Sequence, residues 1–363
     1  MGSTLLRKVD TFLRGITRSD TVALLHDKDP DGICSGVLLH HALKRLRGRG
    51  VDVRINAPHD SYSLTPQLVA RLRRRKIDVL IVADISADHE PKLIRQVSRF
   101  ARVLIIDHHK FYGGFKQRNI LLVKPQLMGS KVDPSRYCTS KLAYDLCSRL
   151  VDMRDLVWLA AVGSIADIAT APWKTWLRGV MRRHNVKSNG DLFKTAFGKV
   201  AITINSSLLH SERNVAVVFK TVAAAKKPGD VIGSPLRRYR AAIEAEIQKW
   251  IRRVPAIAER HDDMMIVAIK PKYRIGSTLS TLLSFKYPDK SVIMVRRNKG
   301  MVSLSGRRQD RAVPMNALFE CAIEGLSGAT AGGHVPAAGG RLRAKDFTRF
   351  KRQLIACHHR LRS

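Results

Sequence analysis

The chain is short of acid. Against 65 lysines and arginines it carries 30 aspartates and glutamates, a formal charge of +35 over 363 residues. That deficit predicts attraction to polyanions, with nucleic acid first and an acidic docking partner second. Aromatic residues are also scarce, at 6%. No base-stacking platform stands out, so phosphate contact is expected to dominate any nucleic-acid binding. The five cysteines, Cys34, Cys138, Cys147, Cys321 and Cys357, are odd in number and widely spaced, with no C-x-x-C. This argues against a zinc knuckle or a disulfide framework and points to a reducing cytosol. Long apolar runs are missing too. The most apolar stretch, Leu156 to Ala171, is short and carries Asp167, and Arg7 and Lys8 interrupt the only early run. Neither a membrane span nor a signal peptide is expected, and a cytoplasmic location follows.

What is present is the composition of a folded protein, 45% hydrophobic and 26% charged. Its length suits two domains. Apolar runs at 21–25, 51–57, 78–83, 102–106 and 119–124 read as strands, with helical patterns after each. Strands alternating with helices imply right-handed crossovers and a parallel sheet with helices on both faces. Residues 1–235 are expected to form this α/β domain, with a helical extension from about 171 to 235. Residues 236–261 read as a helical linker with charge on one face. Residues 262–363 read as a smaller α/β domain containing a glycine-rich loop, Ala331 to Gly340.

The chemistry gathers where strands end. The first strand runs into His26-Asp27-Lys28-Asp29-Pro30-Asp31-Gly32, the third ends at Asp84, and the fourth at Asp107-His108-His109. In an open parallel sheet these ends share one edge, where ligands bind. A lone strand-end aspartate is read equally well as a helix cap. Acids at three strand ends of one edge, with two histidines, are read as a metal cluster, because crowded carboxylates need cations and this donor set suits hard to borderline divalent ions. Asp167 sits on an otherwise apolar helix, in Gly163-x-x-x-Asp167, where alone it would be a helix-end polar residue. In the second domain, Gly332-Gly333-His334 beside Arg307 and Arg308 has the make-up of a phosphate pocket, although glycines also serve tight turns. The pairs His40-His41 and His358-His359 lie in basic helical stretches without an adjacent acid and are expected at the surface.

Taken together, these motifs resemble the DHH phosphoesterase superfamily with its associated C-terminal domain, in RecJ-like or nano-RNase-like, archaeal-type form. Asp27-Lys-Asp29-Pro-Asp31-Gly32, Asp84, Asp107-His108-His109 and Gly163-x-x-x-Asp167 match its four N-terminal motifs. Gly332-Gly333-His334-x-x-Ala337-Ala338-Gly339, with Val302 to Arg307 before it, matches the C-terminal one. The resemblance covers about residues 18–170 and 262–355. It implies two divalent ions, manganese preferred, with magnesium or cobalt as substitutes. One ion would use Asp29, Asp84 and Asp107; the other would use Asp31, Asp84, His108 and Asp167, with Asp84 bridging. His109 would contact the scissile phosphate or assist the leaving group, and Arg307, Gly332, Gly333 and His334 would bind a substrate phosphate. The family's usual histidine ligand falls at Leu25 here. Either His26 or Asp27 therefore touches metal, while the other orients a ligand.

The expected activity is a metal-dependent exonuclease on single-stranded DNA or RNA. The alternatives are a nano-RNase or 3′-phosphoadenosine phosphate phosphatase on short substrates, and a nucleic-acid-binding scaffold in a replication or repair complex. Basic helices at 71–76, 178–187 and 236–253 favour a polymer, because a strand gains affinity with every phosphate met.

Overall fold

A computed structural model describes residues 2–56 and 64–362. Two compact units result, Met1–Arg240 and Ala241–Ser363.

The first unit opens on helix α1 (Gly2–Arg14). Strands β1 (Val22–His26), β2 (Val53–Asn56), β3 (Val79–Ala83), β4 (Arg102–Ile106) and β5 (Ile120–Val123) then alternate with α2 (Pro30–Arg47), α3 (Pro66–Arg74) and α4 (Pro91–Val97). Ala57, expected as the last residue of the second strand, lies outside the described residues. The sheet is wholly parallel, in the order β2-β1-β3-β4-β5. Side chains alternate strictly between its faces, as the period of an extended chain requires. Val22, Leu24, Ile81, Leu104 and Ile106 join one core, and Ala23, Leu25, Val82, Val103 and Ile105 the other. The first core is closed by α1, α2, α5 (Thr139–Ser148) and α6 (Val157–Ala166). It also takes in α7 (Lys174–Arg183), α8 (Ala196–His210) and α9 (Val215–Ala224), so the helical extension is part of this unit's interior. The short α10 (Pro228–Ile232) follows, with Val231 in the same core. The second core is closed by α3 and α4.

Helix α11 (Arg237–Ile257) begins in the first unit and runs into the second. There, β6 (Glu259–His261), β7 (Met264–Ile269), β8 (Ser291–Asn298), β9 (Met301–Arg307), β10 (Thr330–His334) and β11 (Ala337–Arg343) form a mixed sheet ordered β10-β11-β9-β8-β7-β6. Only β7 and β8 run parallel among the described pairs. Helix α12 (Gly276–Lys286) lies over β8 and β9 on one face. Helices α13 (Met315–Ala322) and α14 (Phe347–Arg362) bury Leu318, Phe319, Phe350 and Leu354 against the other.

Two expectations are corrected here. The glycine-rich segment is a β-hairpin, in which Gly332 pairs with Gly339 and Gly333 with Ala338. Glycine weakens strand propensity, but bonding of β11 to β9 holds it extended. Cys321 on α13 and Cys357 on α14 form a disulfide, their Cα atoms 6.3 Å apart. It joins two helices that meet only in the folded unit, so no sequence spacing announces it. No described helix is long and apolar enough to cross a membrane.

Candidate metal centre

Asp27, Asp84 and Asp107 each stand one residue beyond their strand, and the sheet sets them in a row. The Asp27 N–H donates to the Ala83 carbonyl, Asp84 to Ile106 and Asp107 to Val123. The ladder thus continues one step past the apolar residues and into the acids. Asp84 takes a left-handed backbone, φ +63°, which short polar residues adopt more readily than others. Asp29 caps α2 by accepting from Gly32 N at 2.8 Å. Gly32 has no alternative there, because a Cβ would meet the Asp27 carbonyl oxygen at 2.6 Å.

Asp31 is fully buried against the start of α5. Its oxygens accept from the Thr139 and Ser140 N–H groups at 2.7 and 3.0 Å, and positive helix-end amides favour a carboxylate. Thr139 Oγ1 donates to Asp84 at 2.9 Å. The glycine of Gly163-x-x-x-Asp167 packs on this contact: a Cβ there would collide with Asp31 Oδ1 and Ser140 Oγ. A Gly163→Ala substitution should therefore displace Asp31 and weaken divalent-ion binding roughly 10- to 100-fold, the usual cost of disturbing a ligand's support. A calorimetric titration reads this, and wild-type affinity in the variant would refute the packing account.

His108 directs Nε2 at Asp167 Oδ2 (3.4 Å) and Asp84 Oδ1 (3.6 Å), while Nδ1 meets the Pro134 carbonyl at 3.3 Å. A ring nitrogen that donates to a carbonyl fixes the tautomer and leaves the other nitrogen as a lone-pair donor. Three overlapping triplets result: Asp27-Asp29-Asp84, Asp84-His108-His109 and Asp31-His108-Asp167. Within each, one donor atom per residue lies within 4.8 Å of the others.

The electrostatics agree with a cation site. Burial first, then mutual repulsion, drives Asp84 far above the carboxylate range, and Asp167 likewise. Asp29 is pushed up to about 7 by burial and by Asp27 and Asp31. Crowded carboxylates at these pKa values fit divalent ions. With no ion bound, folding favours the protonated form of Asp29. Its contribution is complete below about pH 4, the unfolded pKa, and is lost as pH rises through 7. Binding needs the ionised form, so Mn²⁺ affinity should rise with pH through about 7, with protons released. Calorimetry near pH 6 in buffers of different ionisation enthalpy measures that release; no release would contradict the assignment.

Asp107 is engaged by neighbours of its own, and His26 supports Asp27, one of the two roles expected for it. Burial alone would raise Asp107, but a 2.6 Å hydrogen bond from His109 Nδ1 and the His109 and Lys124 charges hold it below the usual range. Its other oxygen ion-pairs with Lys124 Nζ at 2.9 Å, and it joins none of the triplets among the described residues. Asp27 stands in its place beside Asp29 and Asp84. His26 is buried, stacked 5.3 Å from the Phe219 ring, and lowered to about 4 by desolvation. It orients Asp27 through a 2.7 Å contact between Nδ1 and the Asp27 carbonyl. His109 is raised, despite burial, by its bond to Asp107.

Sequence reasoning missed Lys124, Asp88 and Thr139. Lys124 stands one residue after β5, on the same edge as the acids. The histidine pairs are corrected in part, since His359 is exposed as expected while its neighbour and the first pair are not. His358 is 2% exposed and bonded to Ser291 at 2.9 Å, and His41 meets the Ala223 carbonyl at 2.9 Å.

In the second unit, Arg307 pairs across the sheet with Ala337, which pairs with His334. The two side chains share a face, two strands and about 10 Å apart. Gly332, Gly333 and His334 are exposed, and Arg307 is half-buried. Arg308 does not join them. It is buried and held by Asp263 and Asp310, each at 2.6 Å.

Residues 21–169 match the model of the DHH family, N-terminal domain. Over 167 residues the chain is 28% identical to the single-stranded-DNA-specific exonuclease RecJ of Bacillus subtilis (strain 168), a match covering 44% of this chain and 20% of that protein. The chain thus spans about a fifth of this curated relative. A DHH domain described as a member of the s1p family of ribosomal proteins has a similar structure, with TM-score 0.77 at 13% identity, covering 98% of this chain and 90% of that one. RecJ of Thermus thermophilus in complex with Mn²⁺ gives 0.70 at 19%, covering 98% and 55%. At such identities the structural likeness is one of fold.

Proposed function

We propose, from the match of residues 21–169 to the DHH family, N-terminal domain, that the chain is a Mn²⁺-dependent phosphodiesterase acting as an exonuclease on single-stranded nucleic acid. The observation that carries this reading is the set of overlapping triplets, in which Asp84 and His108 are each shared by two. Shared ligands would suit two neighbouring ions, which can stabilise the attacking and leaving oxygens of an in-line displacement. Asp27, Asp29 and Asp84 would hold one ion, and Asp31, His108 and Asp167 the other. Bound there, the ions supply Lewis acidity to the phosphate and lower the pKa of the attacking water.

The protein's own groups do the rest. His108 and Asp31 are fixed by the Pro134 carbonyl and the α5 amides, so their donor atoms are placed before an ion arrives. His109 is tied at Nδ1 to Asp107 and half-exposed, which leaves Nε2 to deliver a proton to the leaving oxygen. In the second unit, Arg307, Gly332, Gly333 and His334 are the candidates for holding a phosphate. The surplus of 65 basic over 30 acidic residues supports a polymeric substrate rather than a mononucleotide. Basic residues Arg71, Arg73 and Arg74, in the last turn of α3, fit the same reading. A replication or repair assembly is the partner class consistent with it.

The test is a panel of end-labelled single-stranded DNA and RNA of several lengths, plus mononucleotides, with Mn²⁺, Mg²⁺ or chelator. Laddered, metal-dependent shortening of strands is expected. Release of phosphate from mononucleotides alone would replace the exonuclease with a small-substrate phosphatase. Inertness toward the whole panel would leave binding without catalysis.

A further inference from the structure

The segment that leaves β4 after the metal edge is held from beneath by a buried cation. Lys124 has no exposed side-chain surface. Its Nζ ion-pairs with Asp107 Oδ2 at 2.9 Å and Asp88 Oδ1 at 2.8 Å, and donates to the Lys110 and His109 carbonyls at 2.8 and 3.3 Å. The second Asp88 oxygen accepts the Tyr112 N–H at 2.8 Å. Burying an ammonium is costly unless its charge is met on several sides, and here it is. One end of this frame is therefore Asp107 at the acid row. The other is the main chain of Tyr112.

The side chains on that frame face water. Phe111 is 38% exposed and Tyr112 is 49% exposed. They are the only large aromatic pair adjacent in sequence among the described exposed hydrophobics, and they follow His108 by three and four residues. One neighbour of the Tyr112 ring is His89, with centroids 4.5 Å apart and planes at 67°. Another is Lys110 Nζ, 5.5 Å from the ring centroid. Burying neither ring against the core forgoes hydrophobic stabilisation, while the backbone beneath is held firmly. Exposed rings with a cation alongside are what a single-stranded base stacks upon.

We propose that Phe111 and Tyr112 form a stacking platform for a nucleobase of the strand bound at the metal edge. Lys124 and Asp88 are the positioning residues that set its offset from the acid row. The ligand class is a nucleobase-bearing strand of any sequence, since every base offers a π face. This rests on the phosphodiesterase reading for what occupies the metal edge, whereas stacking itself can be read without turnover.

The experiment uses the full chain and single strands carrying 2-aminopurine, a base whose emission falls on stacking, at either end. Matched strands carry an abasic nucleotide there instead. Wild type should quench the probe at one end and bind the base-bearing strand more tightly than its abasic match. Tyr112→Ala should relieve the quenching and weaken that strand roughly 5- to 100-fold, the range for one base stack. Its affinity for the abasic strand should stay at the wild-type level, and Tyr112→Trp should retain both effects. Equal weakening of both strands, absence of quenching at both ends, or loss of the effects in Tyr112→Trp overturns the platform. Quenching without any hydrolysis would remove the phosphodiesterase reading and keep the platform. Hydrolysis with an unchanged preference for base over abasic in Tyr112→Ala would do the reverse.

Discussion

An Asp84→Asn protein should bind polyanions like the wild type and turn over no phosphodiester. Asparagine suits the test because it tolerates the left-handed backbone at this position, whereas alanine adds strain of its own. The substitution removes the charge shared between two ligand triplets. Mn²⁺-dependent hydrolysis should fall at least about a thousandfold, the upper scale for losing one preorganised electrostatic group. A second readout has the opposite sign. Asp84 is buried among Asp31, Asp29, Asp167 and Asp27, and its pKa is raised well above the ordinary range. In metal-free protein, the stability its proton contributes is complete at low pH and lost as pH rises, so the carboxyl costs more stability at pH 8 than at pH 5. The metal-free variant should then melt above the metal-free wild type at pH 8, the difference shrinking toward pH 5. Added Mn²⁺ should raise the wild-type melting temperature more than that of the variant. Substantial residual turnover, or a lower melting temperature at pH 8, would contradict the placement of Asp84.

Lys124→Met should be the most destabilising single change at the edge. It leaves Asp88 and Asp107 buried without their cation. Removing one member of a buried ion pair costs about 3–5 kcal/mol. In a unit this size that corresponds to a melting temperature roughly 6–20 °C lower. Asp107 is held below its usual pKa, so its stabilisation is present above the unfolded value and is lost as pH falls through the folded one. The deficit of the variant should accordingly be full at pH 8 and shrink as pH falls below about 4, the unfolded value of Asp107. Lys124→Met with Asp88→Asn should recover part of it. A melting curve indistinguishable from wild type at pH 8 would show that the frame carries no energy.

The parallel sheet and its acidic edge were legible because both follow from local patterns. Val103 to Ile106 is apolar throughout, and Asp107 follows the strand's last residue. Lys124 was not legible. In sequence it is one lysine among many, and only the pairing of β5 with β4 sets it beside Asp107. The exchange of Asp107 for Asp27 in the first triplet escaped for the same reason, since it depends on which acid Lys124 and His109 have already engaged. The glycine hairpin misled because Gly332, Gly333, Gly339 and Gly340 erase the alternation by which strands are recognised. His358 looked like surface because its partners, Ser291 and Asp263, are brought to it by the sheet.

Helix α14 gives the second unit an order of assembly. Phe350, Leu354 and Cys357 close one face of a sheet whose strands all precede them in the chain. As the protein leaves the ribosome, β7 to β11 emerge with that face covered by α13 alone. The first unit has every element of its two cores by residue 240 and can fold at once. The second must wait for its last helix, and during that interval its partly covered strands are where a chaperone would have work to do.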